Sequence, residues 1–283
     1  MAVTAVRRSG ALAALLPDGR LHLQHGPIDI VAEAYGEPLA CRAAYARAAA
    51  CFASVLEDLV AELPALRSLD APVKGRIARR MAEAVAPFRP AFITPMAAVA
   101  GAVAEDILAA LTGPGITRAY ANNGGDIALW LGPGQSLTCA LAASPMDRVT
   151  VRAADPVRGI ATSGWRGRSL SRGIADAVTV VARTAAQADA AATMIANAVN
   201  LDHPGIVRRP ACEIQGDNDL GARLVTVQVP VLTGHERSAA LRAGLEAAEA
   251  FRARGLIEGA ALFLQGDQKV TGALMLGDRD ASD

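Results

Sequence analysis

Cysteine is scarce here and poorly placed for metal chemistry. Four occur in 283 residues, Cys41, Cys51, Cys139 and Cys212, with neither a CxxC pair nor a Cys/His ligand spacing. That argues against a zinc or iron–sulfur centre built by this chain alone, and the thiols read as small buried apolar residues. The four histidines, His22, His25, His203 and His235, fall in no order that pairs with a nucleophile or a metal. No Ser-His-Asp arrangement is recoverable. Excess charge is missing too. Lys plus Arg and Asp plus Glu each total 28, so no long-range field draws in nucleic acid or an anionic membrane, and any anion site must be local. The longest apolar run, residues 93–104, stops at Glu105-Asp106, short of the ~20 residues of a membrane span. Arg7-Arg8 ahead of residues 11–16 echoes an export signal, but Pro17-Asp18-Gly19 ends the run early and no small-residue cleavage site follows. The expectation is a cytoplasmic chain with neither a nucleic-acid nor a membrane partner.

What is present is core. A hydrophobic fraction of 52% supplies ample interior, and no break in composition divides residues 1–283, which read as one domain. Residues 20–24 and 27–32 predict a hairpin across His25-Gly26. Residues 38–63 predict one long helix with Phe52, Leu56, Leu59 and Leu63 on a face, ended by Pro64. Helices follow over 75–86 and from Thr94-Pro95, the N-cap and N1 residues, to 111; the latter is rich in Ala and Gly, so a neighbouring helix or a second copy of the chain can approach closely. Strands are expected over 118–121, 127–131, 136–141 and 148–153, with Gly132-Pro133-Gly134 as a hairpin turn, and over 174–182. Thr184 and Gln187 have the form of a capping box for a helix to about residue 199. A strand over 223–232, a helix over 236–254 closed by Gly255, and a hairpin from 257–265 to 270–276 end the chain. Hairpins and helices without βαβ alternation predict an α+β fold, antiparallel sheets packed with helices.

Three segments can carry chemistry. Asn122-Asn123-Gly124-Gly125-Asp126 lies between two strands, where paired glycines permit positive φ or close ligand approach. It serves either as a turn whose Asp126 satisfies local N–H groups or as a binder of a ribose or flavin ring edge. Residues 158–173 hold Thr162, Ser163 and Gly164, then Arg166 and Arg168, so hydroxyls and guanidinium groups alternate with glycines as a pyrophosphate requires. The same residues would also make a solvated basic loop. Asp189 and Thr193 are four apart on a helix, which puts a carboxylate and a hydroxyl on one face, oxygen ligands of the kind magnesium or calcium takes. An acidic residue near a helix N-terminus is equally favoured by the macrodipole. Asp217-Asn218-Asp219 reads as a turn with self-bonded carboxylates.

Taken together, the order Gly124 to Asp126, Ala161 to Gly164 and Ala188 to Thr193 resembles the ApbE superfamily, flavin transferases that cut FAD and attach FMN to a protein Thr or Ser using magnesium. The closer resemblance is to the ApbE-like group called UPF0280, through Ile93 to Gly101, Asn122 to Ile127, Gly159 to Ala177 and Ala188 to Asn200. The resemblance implies an ApbE-like fold and a cleft for FAD or a related nucleotide. It implies Asn122, Asn123, Gly124, Gly125, Asp126, Thr162, Ser163, Gly164, Arg166 and Arg168 around that ligand, with Mg²⁺ on Asp189 and Thr193, and a protein acceptor as partner. The transferases carry a His-x-x-Asp-Pro-x-Thr-Gly segment after the Thr-Ser-Gly residues, whereas this chain runs from Arg172-Gly173 through Asp176 into the next strand. Asp176 is then the nearest substitute for that base, whose loss typically costs ~10²–10⁴ in rate. Val99-Ala100-Gly101 stands where they have Ala-Lys-Gly. The resemblance also associates the group with anaerobic sulfide assimilation into homocysteine, which would make the chain an accessory protein; Cys139 is the thiol nearest in sequence to the Gly-Gly turn.

Overall fold

A computed structural model describes residues 6–8, 10–141 and 144–272. Its strands are β1 (Val6–Arg8), β2 (Ala11–Leu15), β3 (Leu21–His25), β4 (Ile28–Gly36), β5 (Ile116–Asn123), β6 (Asp126–Leu131), β7 (Ser136–Leu141), β8 (Ser144–Arg152), β9 (Gly159–Ser163), β10 (Ala177–Ala182), β11 (Val207–Pro210), β12 (Leu224–Gln228), β13 (Gly259–Leu264) and β14 (Asp267–Gly272). Its α-helices are α1 (Pro38–Phe52), α2 (Val55–Ala61), α3 (Leu63–Leu66), α4 (Arg76–Val85), α5 (Val99–Leu111), α6 (Ala185–Ala198), α7 (Ala211–Ile214) and α8 (Gly234–Ala253). Ten strands form one sheet in the order β1-β2-β3-β4-β5-β6-β9-β10-β13-β14, every described pairing antiparallel. The architecture is α+β, as expected.

Alternation decides the sheet's two faces. On β4, Ile28, Ile30, Ala32 and Ala34 are buried while Asp29, Val31, Glu33 and Tyr35 point the other way. The first set joins Ala119, Ala121, Val178, Val180 and Leu262 against helices α1, α5, α6 and α8. The opposite face carries a smaller core of Ile127, Leu129, Leu131, Ile160 and Val181, covered by Val149 and Val151 of the separate β7–β8 hairpin. Ile107 and Leu111 of α5 have no exposed surface, and truncating either to Ala is expected to cost about 2–5 kcal/mol.

Several expectations change. The single helix over 38–63 is broken after Phe52 and again after Ala61, and Pro64 sits in the first turn of α3 instead of closing a helix. By length and composition residues Pro38–Ala61 could cross a membrane; here Ala44, Ala48, Phe52, Val55 and Leu59 lie in the core. Residues 11–15, the echo of an export signal, are strand β2. Gly132-Pro133-Gly134 joins no paired strands, because β6 pairs with β5 and β9 while β7 pairs with β8. Strand β11 was unforeseen, and α8 begins earlier than expected through a Thr233/Glu236 capping box. The last hairpin forms, but residues 273–276 of its second arm lie outside the described residues.

Candidate functional site

The Asn-Asn-Gly-Gly-Asp segment is mostly strand. β5 runs through Asn123 and β6 starts at Asp126, so the turn is Gly124-Gly125 alone, at φ +65° and +116°. Both glycines occupy the left-handed half of the map, as a two-residue hairpin of this hand needs. Asn122, not Asp126, satisfies the turn: its Oδ1 accepts the Gly125 N–H at 2.8 Å.

That leaves Asn123 and Asp126, paired in register and both buried, to face the helices. Asn123 Nδ2 donates to the Ala100 carbonyl at 3.1 Å, in the first turn of α5. Asp126 Oδ1 accepts the Thr162 N–H from β9 at 3.1 Å. No side chain at the N-cap of α5 caps the helix, so its free N–H groups need acceptors from elsewhere. Asp189 of α6 supplies one, its Oδ2 taking the Gly101 N–H at 3.1 Å, and Ala100 N–H also bonds to it. Such an approach requires Gly101, where a Cβ would collide with the Ala185 carbonyl, and Gly159, where it would collide with the Thr184–Ala185 peptide.

Two buried carboxylates thereby come near enough to feel each other's charge. Burial pushes the Asp126 carboxyl up to about 7, against the Thr162 N–H and the more distant Arg168. Asp189 is held well above the usual carboxylate range, by burial first and then by the Asp126 charge, and no cation among the described residues opposes this. Thr193 lies one turn further on α6, half-buried. No group of three or more His, Cys, Asp or Glu able to hold a metal occurs among the described residues. Magnesium uses one or two carboxylates with waters and ligand phosphates completing the shell. The carboxylates of Asp126 and Asp189 are donors of that kind, and Thr193 brings a hydroxyl one turn on from Asp189 along α6.

On the other side of the same hairpin tip is a cavity of about 400 Å³ lined by Asp29, Val31, Asn122, Gly124, Gly125 and Arg168. Val31 and Asn122 are cross-strand partners, and Asp29 precedes Val31 on the same face. His22 on β3 reaches Asp29 at 3.0 Å. The Arg168 guanidinium folds against Gly124, where any side chain would meet it.

The expected hydroxyl loop is strand β9 up to Ser163. Thr162 Oγ1 is bonded to Thr179 Oγ1 across β9–β10 at 2.9 Å, so its contribution towards the site is the backbone N–H that holds Asp126. Ser163 is half-buried. Gly164 is explained by packing, since a Cβ there would lie 2.5 Å from the Asp176 carbonyl. Arg166 pairs with Asp176 at 2.6 Å. Asp176 also accepts Trp165 Nε1 at 3.3 Å and the Gln265 N–H at 2.5 Å, so both of its oxygens are engaged. Thr94 bonds Asp219 rather than capping a helix, and Asp217 reaches Arg67 at 2.6 Å, while Asn218 closes the turn by accepting the Leu220 and Gly221 N–H groups at 2.8 Å.

A family model described as AbpE bacteria matches residues 13–270. The chain belongs to that family. A UPF0280 protein of Methanopyrus kandleri is 35% identical over 181 residues, 61% of this chain and 71% of the relative. One of Methanothrix thermoacetophila is 36% identical over 157 residues, 52% of this chain and 65% of the relative, so that match spans less than two thirds of the relative's length. Among solved structures, the apo flavinyl transferase ApbE of Pseudomonas stutzeri aligns at a TM-score of 0.33 and 13% identity, covering 85% of this chain and 73% of that one.

In this member of the AbpE bacteria family Asn123, Asp126 and Asp189 meet at the start of α5, with Thr193 one turn beyond Asp189 on α6; Asn122, Gly124, Gly125 and Arg168 surround the cavity; Thr162 and Ser163 lie on β9; and Gly164, Arg166 and Asp176 form a separate knot against Gln265. Sequence reasoning missed Asp29, and it marked Ala100 and Gly101 only as a departure from the transferases' Ala-Lys-Gly, not as the N–H donors that meet Asp189. Asp29 was detectable as a polar residue in the alternation of β4, and Gly101 as a glycine inside an apolar helix.

Proposed function

We propose that this chain binds a phosphate-bearing nucleotide, FAD or a close relative, across the tip of the β5–β6 hairpin together with Mg²⁺. The observation that carries the reading is the buried Asp126–Asp189 pair. Two carboxylates cannot both ionise in a shielded place without a compensating cation, and a divalent ion held there would supply one. Bound there, magnesium would polarise a phosphoryl oxygen as a Lewis acid. The chain's own parts then divide the work. Asp126, Asp189 and Thr193 would hold the cation, Asn123 and the Thr162 N–H fix the carboxylates' surroundings, and Arg168 would approach the anionic ligand from the cavity. Asn122 and Asp29 meet its ring or ribose.

The reaction class this favours is metal-assisted hydrolysis of a pyrophosphate, in which water would add at one phosphorus as its bond to the bridging oxygen breaks, splitting FAD into FMN and AMP. Asp176 acts by holding Arg166 and Trp165 in place, since its oxygens already accept three N–H groups. Transfer of FMN to a protein hydroxyl lacks a histidine in the segment after Gly164. Sulfur handling by Cys139 is disfavoured as well, because burial pushes its thiol up to about 11, where the nucleophilic thiolate is rare. Purified chain is titrated with FAD with and without Mg²⁺, following melting temperature and AMP release. Mutual enhancement of binding by FAD and Mg²⁺ is expected; binding of either with no dependence on the other overturns the shared site. Binding without AMP release assigns the chain an accessory role.

A further inference from the structure

Behind the carboxylate pair, a second set of charges runs from α4 to the start of α6. Glu105 on α5 has a side chain only 17% exposed, and its Oε1 accepts the Ala186 N–H at 2.8 Å. The Ala185 N–H and the Thr184 hydroxyl bond to it as well. Arg80 pairs with Glu105 at 2.8 Å and lies 3.5 Å from Asp106, which Arg76 grips through two bonds of 2.5 Å. Burial raises the Glu105 carboxyl, and the helix-start N–H groups and Arg80 work against that.

Asp189 makes the converse contact, taking the Ala100 and Gly101 N–H groups at the start of α5. Each helix therefore supplies the acid that caps the other. The free N–H groups of one end and the carboxylate of the other attract through the helix dipole as well as by hydrogen bonding. Gly101 removes the side chain between the two backbones, so no flexible group can absorb a shift of α6 against α5. Asp189 sits three residues beyond Ala186, about 4.5 Å along the axis, and any rotation of that first turn re-aims its carboxylate.

We propose that Glu105, held by Arg80, is a positioning residue that aims Asp189 at the cation by clamping the first turn of α6. It does not touch the ligand. The inference rests on the magnesium reading above.

The test is calorimetric titration of Mg²⁺ into the full chain saturated with FAD. Glu105→Ala is expected to weaken Mg²⁺ binding about 10- to 100-fold, the usual cost of losing a partner that orients a metal ligand, with FAD affinity in EDTA unchanged. Glu105→Gln keeps an oxygen for the Ala186 N–H and should restore most of the affinity. Unchanged Mg²⁺ affinity in a folded Glu105→Ala chain, or a loss that Glu105→Gln does not restore, overturns the proposal. Should Glu105→Ala fail to fold, Arg80→Gln is measured instead: a smaller loss confined to Mg²⁺ binding supports the clamp, and none overturns it. Mg²⁺ binding that survives Asp189→Asn alone marks failure of the underlying metal reading, a different result from failure of the clamp.

Discussion

Asp126→Asn isolates the buried charge. Asp126 is 8% exposed, and burial lifts its carboxyl from the ordinary 3.8 to about 7. Between roughly pH 4 and 7 the folded chain then keeps a proton that the unfolded chain has released. Because the folded state binds more protons, stability falls as pH rises through that window and levels off above it. The gap of about three pH units at 1.36 kcal/mol each sets a ceiling of about 4 kcal/mol. An effective interior dielectric nearer 20 than 4 makes about 2 kcal/mol the working figure. Asn keeps an oxygen for the Thr162 N–H and removes the charge. Melting curves are recorded in EDTA at pH 5 and pH 8. About two thirds of that window falls between pH 5 and pH 8, roughly 1.3 kcal/mol, so the Asp126 share of the wild-type loss is about 3–5 °C at about 2–4 °C per kcal/mol; Asp126→Asn is expected to lose that much less, Asp189 keeping its own slope, and to be the more stable of the two at pH 8. Added Mg²⁺ at pH 8 should raise the wild-type midpoint and leave that of the variant nearly fixed. A variant with the wild-type pH slope, or one that melts below wild type at pH 8 in EDTA, would refute the buried-charge reasoning.

Other outcomes follow from the same contacts. Asp189→Asn should remove the Mg²⁺ dependence of FAD binding while keeping an oxygen for the Gly101 N–H, as read by titration with and without EDTA. Gly101→Ala should destabilise by about 1–3 kcal/mol in urea unfolding, because the new methyl meets the Ala185 backbone and not a movable side chain. Gly124→Ala forces a left-handed φ on alanine, costing about 1 kcal/mol, and displaces Arg168, so FAD affinity should drop more than stability does. Cys139 in the folded chain should alkylate about 100-fold more slowly than an ordinary thiol, as followed by peptide mass spectrometry, and recover normal reactivity in denaturant.

The fold was legible where local patterns decide it. Alternation placed β3, β4, β13 and β14, and the Thr184 and Gly255 signals bounded α6 and α8. Pairing was less legible. Gly159 and Thr162-Ser163 have the turn chemistry of a loop, and what makes them strand β9 is their place between β6 and β10. The glycine at 159 reflects the passage of the Thr184–Ala185 peptide, not a bend. Likewise the break after Phe52 has no Pro or Gly to announce it.

The candidate site shows the same limit more sharply. Asp126 and Asp189 each had an ordinary local explanation, a turn acid and a helix-dipole acid, and each explanation assigned the carboxylate to its own neighbourhood. In the structure Asn122 has taken the turn's N–H, and Asp189 serves the start of a different helix, 88 positions away in sequence. The local rule fails at Asp189 because α5 has no cap of its own and its uncapped end draws in an acid from α6, and at Asp126 because Asn122 already holds the turn and the Thr162 N–H of β9 takes the carboxylate. The close backbone approach that permits this also places Asp189 beside Asp126, creating an electrostatic conflict within an otherwise satisfied network. A protein selected for stability alone would replace one of the two acids by an amide, which preserves every hydrogen bond described and removes the repulsion. Retaining both is intelligible if a cation resolves the conflict during function, so the pH slope and the Mg²⁺ response of Asp126→Asn bear on the same quantity from opposite sides.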